Sequence, residues 1–594
     1  MKELAHLNKY LYKYRGLLLL GVLFTVLSNL FGVIPAQIVR HALELVEMNV
    51  DHYFLFRDSS FQTVTYKTLT FGITVLGGLI ILMAIIKGVF LFAVRQTIIV
   101  MSRHIEYDLK NEIYGHYQTL PLAFFKQNST GDLMARISED VSKVRMYLGP
   151  AIMYLLNMFV LVGMVVSYMF SVNVRLTWFV LIPLPLLSLS IFIVSSIINR
   201  RSERIQKSLA NLSTNAQETY SGIRVIKSFA AEDKFYDQFE KESLKYQYES
   251  LKLARVDSLF HPIMIFLIGM STIICVYVGG QEVMAGKISL GVIAEFVMYV
   301  YMLTWPMTAL GWTSGQIQRA AASQKRINEF LRLNNDIIST ENLKVDIQGG
   351  IRFEHVSFVY PDTGIKALDN VSFEILPGES VAIIGTTASG KSTLANLILR
   401  LFDIQEGQIY IDGIELKKLD LSYYRSQLGY VTQEVFLFSD TITNNVKFGK
   451  EDATDEEVVK ATQEAEVYHN IMGFPEGFNT KVGERGITLS GGQKQRISIA
   501  RALIRKPQVL LLDDSLSAVD TVTENRILHH LKGIGKTTIL ISHRISNARL
   551  ADKIILMDEG KVIDVGKHEE LLSKGGLYAE LHESQSSESL TLDS

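Results

Sequence analysis

The sequence predicts an all-α domain of six membrane-spanning helices followed by a separate α/β domain. Two observations support this division. Of the 594 residues, 48% are hydrophobic and only 20% are charged, which is too apolar for an ordinary soluble protein and excludes a disordered or fibrous chain. The apolar residues also crowd into the first 312 positions, whereas short β-rich runs alternate with helical stretches after position 350.

Six windows are long and apolar enough to cross a membrane, which takes about 20 residues of helix. Four of them contain no Asp, Glu, Lys or Arg, whereas the buried helices of a soluble protein normally keep a polar face. We therefore expect a transmembrane domain over residues 1–333, with spans at 17–39, 68–94, 146–170, 176–198, 258–280 and 288–312.

The connectors between these windows predict their orientation. Segments 95–145 and 199–257 hold seven and eleven Lys and Arg residues, whereas segments 171–175 and 281–287 hold one each. Basic connectors tend to remain on the cytoplasmic side, and the basic stretch before the first window agrees. Both termini are therefore expected in the cytoplasm. The polar and aromatic segment 40–67 is expected as an outside loop, and its sequence suggests no role for it.

The two basic connectors are far longer than ordinary loops between helices and carry helical patterning. Spans 2 to 5 are therefore expected to continue as helices well beyond the bilayer. Breaks at 120–121, 130–132 and 221–222 mark the tips of these extensions. Short transverse helices are expected at the tips.

Beyond the last window, segment 334–350 is predicted as a polar linker, 351–583 as the α/β domain and the Ser-rich segment 584–594 as a disordered tail. A net charge of −2 gives no basic field for binding nucleic acid. The single cysteine, Cys275, excludes a disulfide framework or a cysteine-based zinc site within the chain.

A glycine-rich motif carries the chemistry of the α/β domain. Residues 385–392 read GTTASGKS, follow an apolar strand and open a helix, as a P-loop does. In such a loop the backbone N–H groups wrap phosphate, Lys391 reaches the β- and γ-phosphates, and Ser392 ligates Mg²⁺. The sequence therefore predicts an α/β P-loop nucleotide-binding domain. Its candidate ATP-binding residues are Gly385, Thr386, Ala388, Ser389, Gly390, Lys391, Ser392 and Thr393.

A second part of the site follows the apolar run 509–512. This run predicts a buried strand that ends in Asp513, whose carboxylate can hold the metal. Asp514 comes next and stands where a general base or a group that orients water would be needed.

Residues 489–493 read LSGGQ, the signature of one family of transport ATPases. With this signature and the P-loop, the chain resembles the ATP-binding cassette (ABC) exporters, and among them the bacterial half-transporters of the multidrug and lipid exporting type. The resemblance covers nearly the whole chain, with six spans and one cassette. It is strengthened by an aromatic residue, a Q-loop glutamine, a D-loop and a switch histidine in the family's order, at Tyr360, Gln433, 517–520 and His543.

The resemblance implies a role for each of these residues. Tyr360 would stack on adenine, and Asp514, His543 and Gln433 would serve hydrolysis. Mg²⁺ would be held by Ser392, Gln433 and Asp513, and Asp520 would lie in the D-loop. The signature residues Leu489, Ser490, Gly491, Gly492 and Gln493 would close over the ATP of a partner subunit. Segments 130–132 and 221–224 resemble the family's two coupling regions.

Because the chain has only one cassette, the resemblance implies that it pairs with a second half-transporter. ATP binding would then close the dimer and hydrolysis would release it, so that a substrate cavity alternates between the two sides of a bacterial inner membrane. The family usually has Glu where this chain has Asp514, and losing one methylene shortens the reach by roughly 1.5 Å. This favours a slow site in a heterodimer, with a homodimer of two slow sites as the alternative.

The ionisable residues within the windows suggest where a substrate is bound, because charges inside a membrane are often functional. Glu295 shares a helical face with Met298, Tyr299 and Met302, a polarizable surface that suits varied apolar ligands. An amphipathic organic cation, a drug-like molecule or a membrane lipid is the expected substrate. Alternatively, Glu295 pairs with Lys87 or with another polar group between helices.

Two other kinds of protein could carry the same motifs. One is an ABC-type regulatory or channel protein, and the other is a soluble-type ATPase tethered to the membrane. A mere tether would not need the long basic connectors. Because only 16 residues precede the first window, an N-terminal protease domain of a peptide-processing exporter is not expected.

Overall fold

The computed structural model describes residues 2–57 and 59–592. The chain forms two units. Unit 1 contains Met1–Gln118 and Gly131–Leu333, and unit 2 contains Thr119–Thr130 and Asn334–Ser594. The segment Thr119–Thr130 therefore folds with the C-terminal unit although it lies between two spans in the sequence.

Among the described residues, unit 1 holds six helices that are long and apolar enough to cross a membrane, and the six predicted windows fall on them. This confirms the predicted all-α membrane domain. The helices, called spans 1 to 6, are Arg15–Leu55, Ser60–Thr119, Thr130–Val172, Val174–Ser221, Glu232–Met284 and Leu290–Leu331. Two short helices, Lys2–Leu7 and Asn8–Lys13, precede them.

Spans 2 and 5 are much longer than a bilayer requires. They have 60 and 53 residues, which is about 90 Å and 80 Å of helix at 1.5 Å per residue, against a hydrocarbon core of about 30 Å. The helices thus continue beyond the membrane as expected. Short helices, Leu122–Gln127 and Ile223–Ser228, lie where the sequence predicts them, after the breaks at Pro121 and Gly222.

Segment 40–67, expected as an outside loop, is mostly helical. Span 1 continues to Leu55 and span 2 begins at Ser60, which leaves a short connection between them. The reason is local: residues 41–55 contain neither Gly nor Pro and include several good helix formers, so the helix does not end where the apolar window ends.

Unit 2 is built on two sheets. A four-stranded sheet has the order β2-β1-β4-β5, and a six-stranded sheet has the order β10-β9-β3-β8-β7-β6. Within the second sheet, β6, β7, β8, β3 and β9 run parallel, and β10 is antiparallel to β9. The strands are β1 Ile351–Val359, β2 Lys366–Ile375, β3 Ser380–Gly385, β4 Glu406–Ile411, β5 Ile414–Glu415, β6 Leu428–Val431, β7 Val509–Asp513, β8 Thr537–Ile541, β9 Lys553–Asp558 and β10 Lys561–Gly566.

The parallel strands are near-continuous apolar runs because helices cover both faces of such a sheet. Every residue of β7 and β8 is buried, and β3 is buried from Val381 onward. The longer helices of unit 2, with eight or more residues, are Lys391–Ile398, Asp455–Glu464, Gly491–Leu503, Thr521–Gly533 and Leu577–Leu592. The shorter ones are Leu421–Ser426, Ile442–Lys447, Tyr468–Met472, Ile545–Ala548 and His568–Ser573. The predicted α/β domain is confirmed.

Both ends of unit 2 pack against its body. Segment 334–350 contains no regular helix or strand, and its Leu343 N–H donates to the carbonyl of Lys418 at 2.9 Å. At the other end, the segment expected as a disordered tail continues the last helix as far as Leu592. The helix is held because Tyr578 and Leu581 pack in a small apolar cluster and Gln585 is hydrogen bonded.

Candidate active site

Four predicted site segments meet at one edge of the six-stranded sheet. The parallel strands β3, β6, β7 and β8 end at this edge, which is where ligands bind in open α/β sheets. Gly385 ends β3 and Asp513 ends β7, whereas Gln433 and His543 each lie two residues beyond a strand end. The fold thus gathers residues that are far apart in the sequence. Gln433 is exposed there.

The loop between β3 and the helix Lys391–Ile398 has the backbone that a phosphate cradle needs. Gly390 adopts φ +94°, and a Cβ at this position would lie 2.5 Å from the carbonyl oxygen of Ala367, so only glycine fits. Within the loop, the Thr386 hydroxyl donates to Asp558 at 2.6 Å and Ser389 is buried. The hydrogen bond of Thr386 and the burial of Ser389 hold the loop in place.

Ala388 also adopts a left-handed conformation, with φ +65°. A residue with a Cβ pays about 1 to 2 kcal/mol for this conformation, a cost that glycine avoids. The family resemblance leads one to expect glycine at this position, and the structure gives the physical reason for that preference.

The Lys391 ammonium is buried against the loop that it follows. It donates to the carbonyl oxygens of Gly385 and Thr386 at 2.9 and 2.6 Å and contacts the Ser389 hydroxyl at 3.2 Å. Burial lowers the pKa of Lys391, although the carboxylates of Asp513 and Asp514 act in the opposite direction. A phosphate group would supply the negative charge that this buried cation lacks.

Two oxygen donors meet beside this lysine. The Ser392 hydroxyl donates to Asp513 Oδ1 at 3.0 Å. Burial raises the pKa of the Asp513 carboxyl, and the hydrogen bond from Ser392 only partly offsets that effect. A buried carboxylate next to a hydroxyl is a donor set that suits Mg²⁺, which binds one or two protein oxygens together with water and phosphate. The residues present therefore fit the metal that the sequence predicts.

Asp514 directly follows the metal-ligand candidate and has a fixed backbone. Its φ is +45°, its N–H donates to the Ile541 carbonyl at 2.8 Å, and its own carbonyl accepts from Ser517 at 3.0 Å. His543 lies just beyond the end of the next strand. Burial and the nearby charge of Lys391 lower the pKa of His543, while Asp514 opposes them. Burial and Lys391 thus favour the neutral form of the imidazole.

Tyr360 occupies an aromatic corner at the end of β1. Its ring meets Phe358 and Phe402 edge-on, at centroid distances of 4.9 and 5.5 Å, and its hydroxyl lies 3.0 Å from that of Thr393. The link to Thr393 joins this ring to the helix that begins at Lys391. A flat ring held beside the phosphate loop can stack on a nucleotide base.

The signature segment begins a helix and has its own supports. Ser490 is the N-cap of Gly491–Leu503 and forms a reciprocal capping box with Gln493. A Cβ on Gly492 would lie 2.7 Å from the carbonyl oxygen of Ala518, so glycine is required for this close approach. Leu489 is buried, whereas Ser490 and Gly491 are exposed. The free N–H groups of this helix end can therefore receive an anion.

Comparison with known proteins identifies the family. The model of the ABC transporter transmembrane region matches residues 18–307, and the ABC transporter model matches residues 368–517. The Bacillus subtilis protein "Probable multidrug resistance ABC transporter ATP-binding/permease protein YheI" is 37% identical, over 80% of this chain and 82% of its own length. This chain belongs to the ABC transporter family. It is therefore a multi-pass membrane ATPase whose activity is coupled to transport.

Two further matches cover most of the transporter. The "ATP-dependent lipid A-core flippase" of Hahella chejuensis is 36% identical, over 82% of this chain and 84% of its own length. A solved structure described as a bacterial Atm1-family ABC exporter with ATP bound matches with a TM-score of 0.73 and 25% identity, over 94% of this chain and 98% of that one. This chain itself combines one transmembrane region with one cassette, and this half-transporter fold implies that the transporter works as a dimer.

The D-loop of the transporter is tied to both the signature helix and the switch region. Gln495 donates to the Ser517 hydroxyl at 3.2 Å and accepts from the Ala518 N–H at 3.0 Å. Arg544, next to the switch histidine, donates to the Ser517 carbonyl at 3.0 Å. Asp520 caps the following helix through the Thr523 N–H at 3.0 Å. Sequence reasoning missed Arg544, although its position beside His543 was a signal.

Lys126 was also missed, and here the sequence gave no signal. Its ammonium lies 4.6 Å from the centroid of Tyr360 and 5.2 Å from that of Phe402. Lys126 belongs to the short helix Leu122–Gln127, which folds with unit 2 of the transporter. The predicted adenine-stacking ring is thus also in contact with a segment that connects two membrane spans.

The role of the ring can be measured. Replacing Tyr360 with Ala is expected to weaken ATP binding by about 5- to 100-fold, because stacking of an aromatic ring on a base contributes about 1 to 3 kcal/mol. Binding of a fluorescent ATP analogue to the purified transporter tests this. Tyr360→Phe is the matched control: it keeps the ring, loses only the contact with Thr393 and should retain most of the affinity. Equal affinity in Tyr360→Ala and wild type would exclude stacking.

In unit 1 the predicted substrate residues have unequal surroundings. Glu295 and Tyr299 are fully buried, and the Tyr299 hydroxyl donates to Glu295 Oε1 at 2.8 Å. Arg40 of span 1 lies 3.5 Å from Glu295 Oε2 and 2.9 Å from Glu44. Glu295 therefore pairs between helices with Arg40, whereas Lys87 is exposed and lies against Gly32.

Beside this network is an open cavity of about 370 Å³, lined by Leu30, Val33, Ile34, Gln37, Met164, Ser167 and Tyr168. None of the four predicted substrate residues lines it. Two of its lining residues nonetheless adjoin the network, because the ring of Tyr168 lies 5.9 Å from that of Tyr299 and the side chain of Gln37 lies near the Tyr299 hydroxyl. Met298 and Met302 are partly buried in the adjoining apolar core.

Proposed function

We propose that this transporter exports or flips an amphipathic molecule, drug-like or lipid, across the bacterial inner membrane, with both termini in the cytoplasm. It acts as one half of a heterodimer and carries the slow ATP site. Support for the substrate class comes from the relatives' names, which include a multidrug resistance protein and a lipid A-core flippase. The basic connectors support the orientation.

In this proposal the residues of unit 2 bind and orient ATP. Tyr360 stacks on the adenine, the N–H groups of the loop 385–390 receive phosphate oxygens, and Lys391 moves from the loop carbonyls to the phosphates. Ser392, Asp513 and Gln433 would hold Mg²⁺, which would neutralise phosphate charge. Neutral His543 donates a hydrogen bond to the terminal phosphate.

The partner subunit completes each site. Ser490 and the N–H groups at the exposed start of Gly491–Leu503 face the ATP held by the partner. The D-loop lies beside this helix because Ser517 and Ala518 are hydrogen bonded to Gln495. Two ATP molecules then join the two cassettes. Closure of the cassettes changes the accessible side of the membrane cavity because ATP binds the closed state more tightly.

One observation carries the proposal of a slow site: the residue after Asp513 is Asp514, where the family usually has Glu. Its backbone is fixed by hydrogen bonds on both sides, so the shorter side chain cannot gain reach by moving the main chain. A base that falls short of the attacking water hydrolyses slowly. The complete signature of this chain would still serve the partner's site.

The assembly can be tested by its mass and by labelling. The transporter is purified from its native membrane through a tag on this chain, and native mass spectrometry gives the subunits. The trapped nucleotide is then located by vanadate trapping of a photoreactive ATP. A second, different half-transporter that carries most of the trapped label supports the slow-site heterodimer. Two copies of this chain with rapid trapping in both would overturn it.

The substrate proposal rests on the cavity and on the network behind it. Apolar and Met side chains suit varied hydrophobic groups, and Gln37 and Tyr168 link the cavity to Tyr299 and Glu295. An amphipathic cation would be drawn to the carboxylates of this network, and Met298 and Met302 would contact it if the helices separate.

In proteoliposomes, Glu295→Gln is expected to lower export of a cationic dye more than flipping of a labelled lipid, because only the cation uses the charge. Glu47→Gln is the matched control, since Glu47 is an exposed glutamate on span 1. Equally unchanged export of both substrates would exclude the ligand-contact role. ATP hydrolysis without movement of either substrate would favour a regulatory or channel protein.

A further inference from the structure

The last helix of the chain touches the loop that carries the switch histidine. Gln585 lies on this helix, Leu577–Leu592. Its side-chain amide donates to the carbonyl oxygen of His543 at 2.7 Å and accepts from the N–H of Ile545 at 2.9 Å. One side chain therefore holds the backbone on both sides of a single residue, Arg544.

The loop needs such a partner. It connects β8 to the helix Ile545–Ala548, which has only four residues and no side-chain cap of its own. The Ile545 N–H and the His543 carbonyl are backbone groups that a side chain must satisfy when they are withdrawn from water. Gln is suited to both because its amide has a donor on one side and an acceptor on the other.

Apolar packing fixes the position from which Gln585 reaches the loop. Tyr578, about two turns earlier on the same helix, is buried in a cluster with Ile545 and Ala548. Leu581, one turn before Gln585, packs against the same cluster. The helix and the short segment after the switch histidine therefore share one small core, so movement of either displaces the other.

The rest of the loop is held from the opposite side. The Arg544 N–H donates to the Ser542 hydroxyl at 3.0 Å, and the Arg544 side chain bonds to the Ser517 carbonyl of the D-loop. Within the described part of the chain, the side chain of Gln585 forms hydrogen bonds to both His543 and Ile545. The orientation of the imidazole thus depends on a residue 42 positions further along the chain.

We infer that Gln585 is a positioning residue for ATP hydrolysis: it fixes the backbone of His543 so that the imidazole meets the terminal phosphate. The C-terminal helix thereby becomes a working part of the ATP site, and any event that lifts it slows hydrolysis without removing a ligand of ATP. This inference rests on the proposed role of His543.

The test compares Gln585→Ala with wild type in the full transporter, once with Asp514 and once in an Asp514→Glu background. The rate of vanadate-dependent photolabelling of this chain reports turnover at its own site. Loss of two hydrogen bonds to the loop is expected to slow turnover about three- to tenfold. The ATP concentration giving half-maximal rate should stay within twofold, because no ATP ligand is removed. Glu583→Ala is the matched control, an exposed neighbour on the same helix, and should change nothing.

Gln585→Glu provides a second readout that a merely structural role would not move. The carboxylate still accepts from Ile545 but faces the His543 carbonyl with an oxygen in place of a donor. Turnover relative to wild type at the same pH should therefore be low at pH 7 to 8, where the carboxyl is ionised, and should rise only as the pH approaches the ordinary pKa of a glutamate, about 4.3. If Gln585→Ala does not fold, Gln585→Glu still tests whether Gln585 positions His543.

His543→Ala separates the two proposals. If His543→Ala leaves turnover unchanged, the proposed role of His543 is wrong. If His543→Ala slows turnover but both Gln585 variants match wild type at every pH, the inference about Gln585 alone is overturned. A Gln585→Ala change that slows turnover equally with and without His543 would also overturn it, because the effect would not pass through the histidine.

Discussion

Replacing Asp514 with Glu is expected to raise ATP turnover at this chain's own site by about ten- to a hundredfold, since a correctly placed general base contributes about 10²- to 10⁴-fold. The side chain gains one methylene while its backbone stays fixed by the bonds to Ile541 and Ser517. The measurement is the rate of vanadate-dependent photolabelling of this chain in the purified transporter, with ATP saturating.

Asp514→Gln is the matched control for this increase. It has the length of Glu but no basic oxygen pair, so it should not exceed the wild-type rate. Brisk turnover in wild type that is unchanged by Asp514→Glu would mean that aspartate already reaches the water. The slow-site proposal would then fail, although the family assignment would stand.

The second large effect is expected in the membrane domain. Replacing Arg40 with Met leaves the fully buried Glu295 without its cation and should lower the free energy of unfolding by about 3 kcal/mol, since removing one partner of a buried pair is costly. All three tryptophans, Trp178, Trp305 and Trp312, lie in unit 1. Tryptophan fluorescence during denaturant unfolding in detergent therefore reports on this unit.

Two variants control for this prediction. Lys67→Met removes an exposed cation from span 2 and should change stability by less than about 0.5 kcal/mol. The double change Arg40→Met with Glu295→Met removes both charges of this pair and should recover part of the loss, because an apolar pair can replace a buried ion pair at little cost. The contact of Arg40 with Glu44 is still lost in the double variant. Unfolding of Arg40→Met at the wild-type denaturant concentration would show that the pair contributes nothing.

The sequence could predict those parts of the fold whose cause is local. Long apolar runs with at most one charge located the spans, because hydrocarbon favours such helices, and near-continuous apolar runs located β3, β7 and β8. The phosphate loop was found from its glycine-rich motif between a strand and a helix, and the signature from the resemblance to the ABC exporters. The structure adds that close backbone approach requires glycine at Gly390 and Gly492. The roles inferred for the individual site residues stay predictions.

Features that depend on contacts distant in the sequence could not be predicted. Arg40 meets Glu295 across 255 positions, and Lys126 meets Tyr360 although no motif marks it. At the start of the Ser-rich end of the chain, Gln585 is hydrogen bonded to His543 and Ile545, and composition alone does not reveal such a contact.

The segment Thr119–Thr130 makes the ATP-binding unit discontinuous, and this matters for its biogenesis. Leu122 and Ala123 pack against the core of unit 2, yet the ribosome makes them more than 200 residues before the first strand of that unit, Ile351–Val359. The unit therefore cannot complete its surface from its own C-terminal stretch alone. A cassette excised at Asn334 would lack the segment Thr119–Thr130 and would expose apolar surface beside Tyr360 and Phe402. Such a fragment should be prone to aggregation and poorly soluble. The segment that covers this surface is thus made before the rest of the unit, between two membrane helices that precede the unit in the sequence.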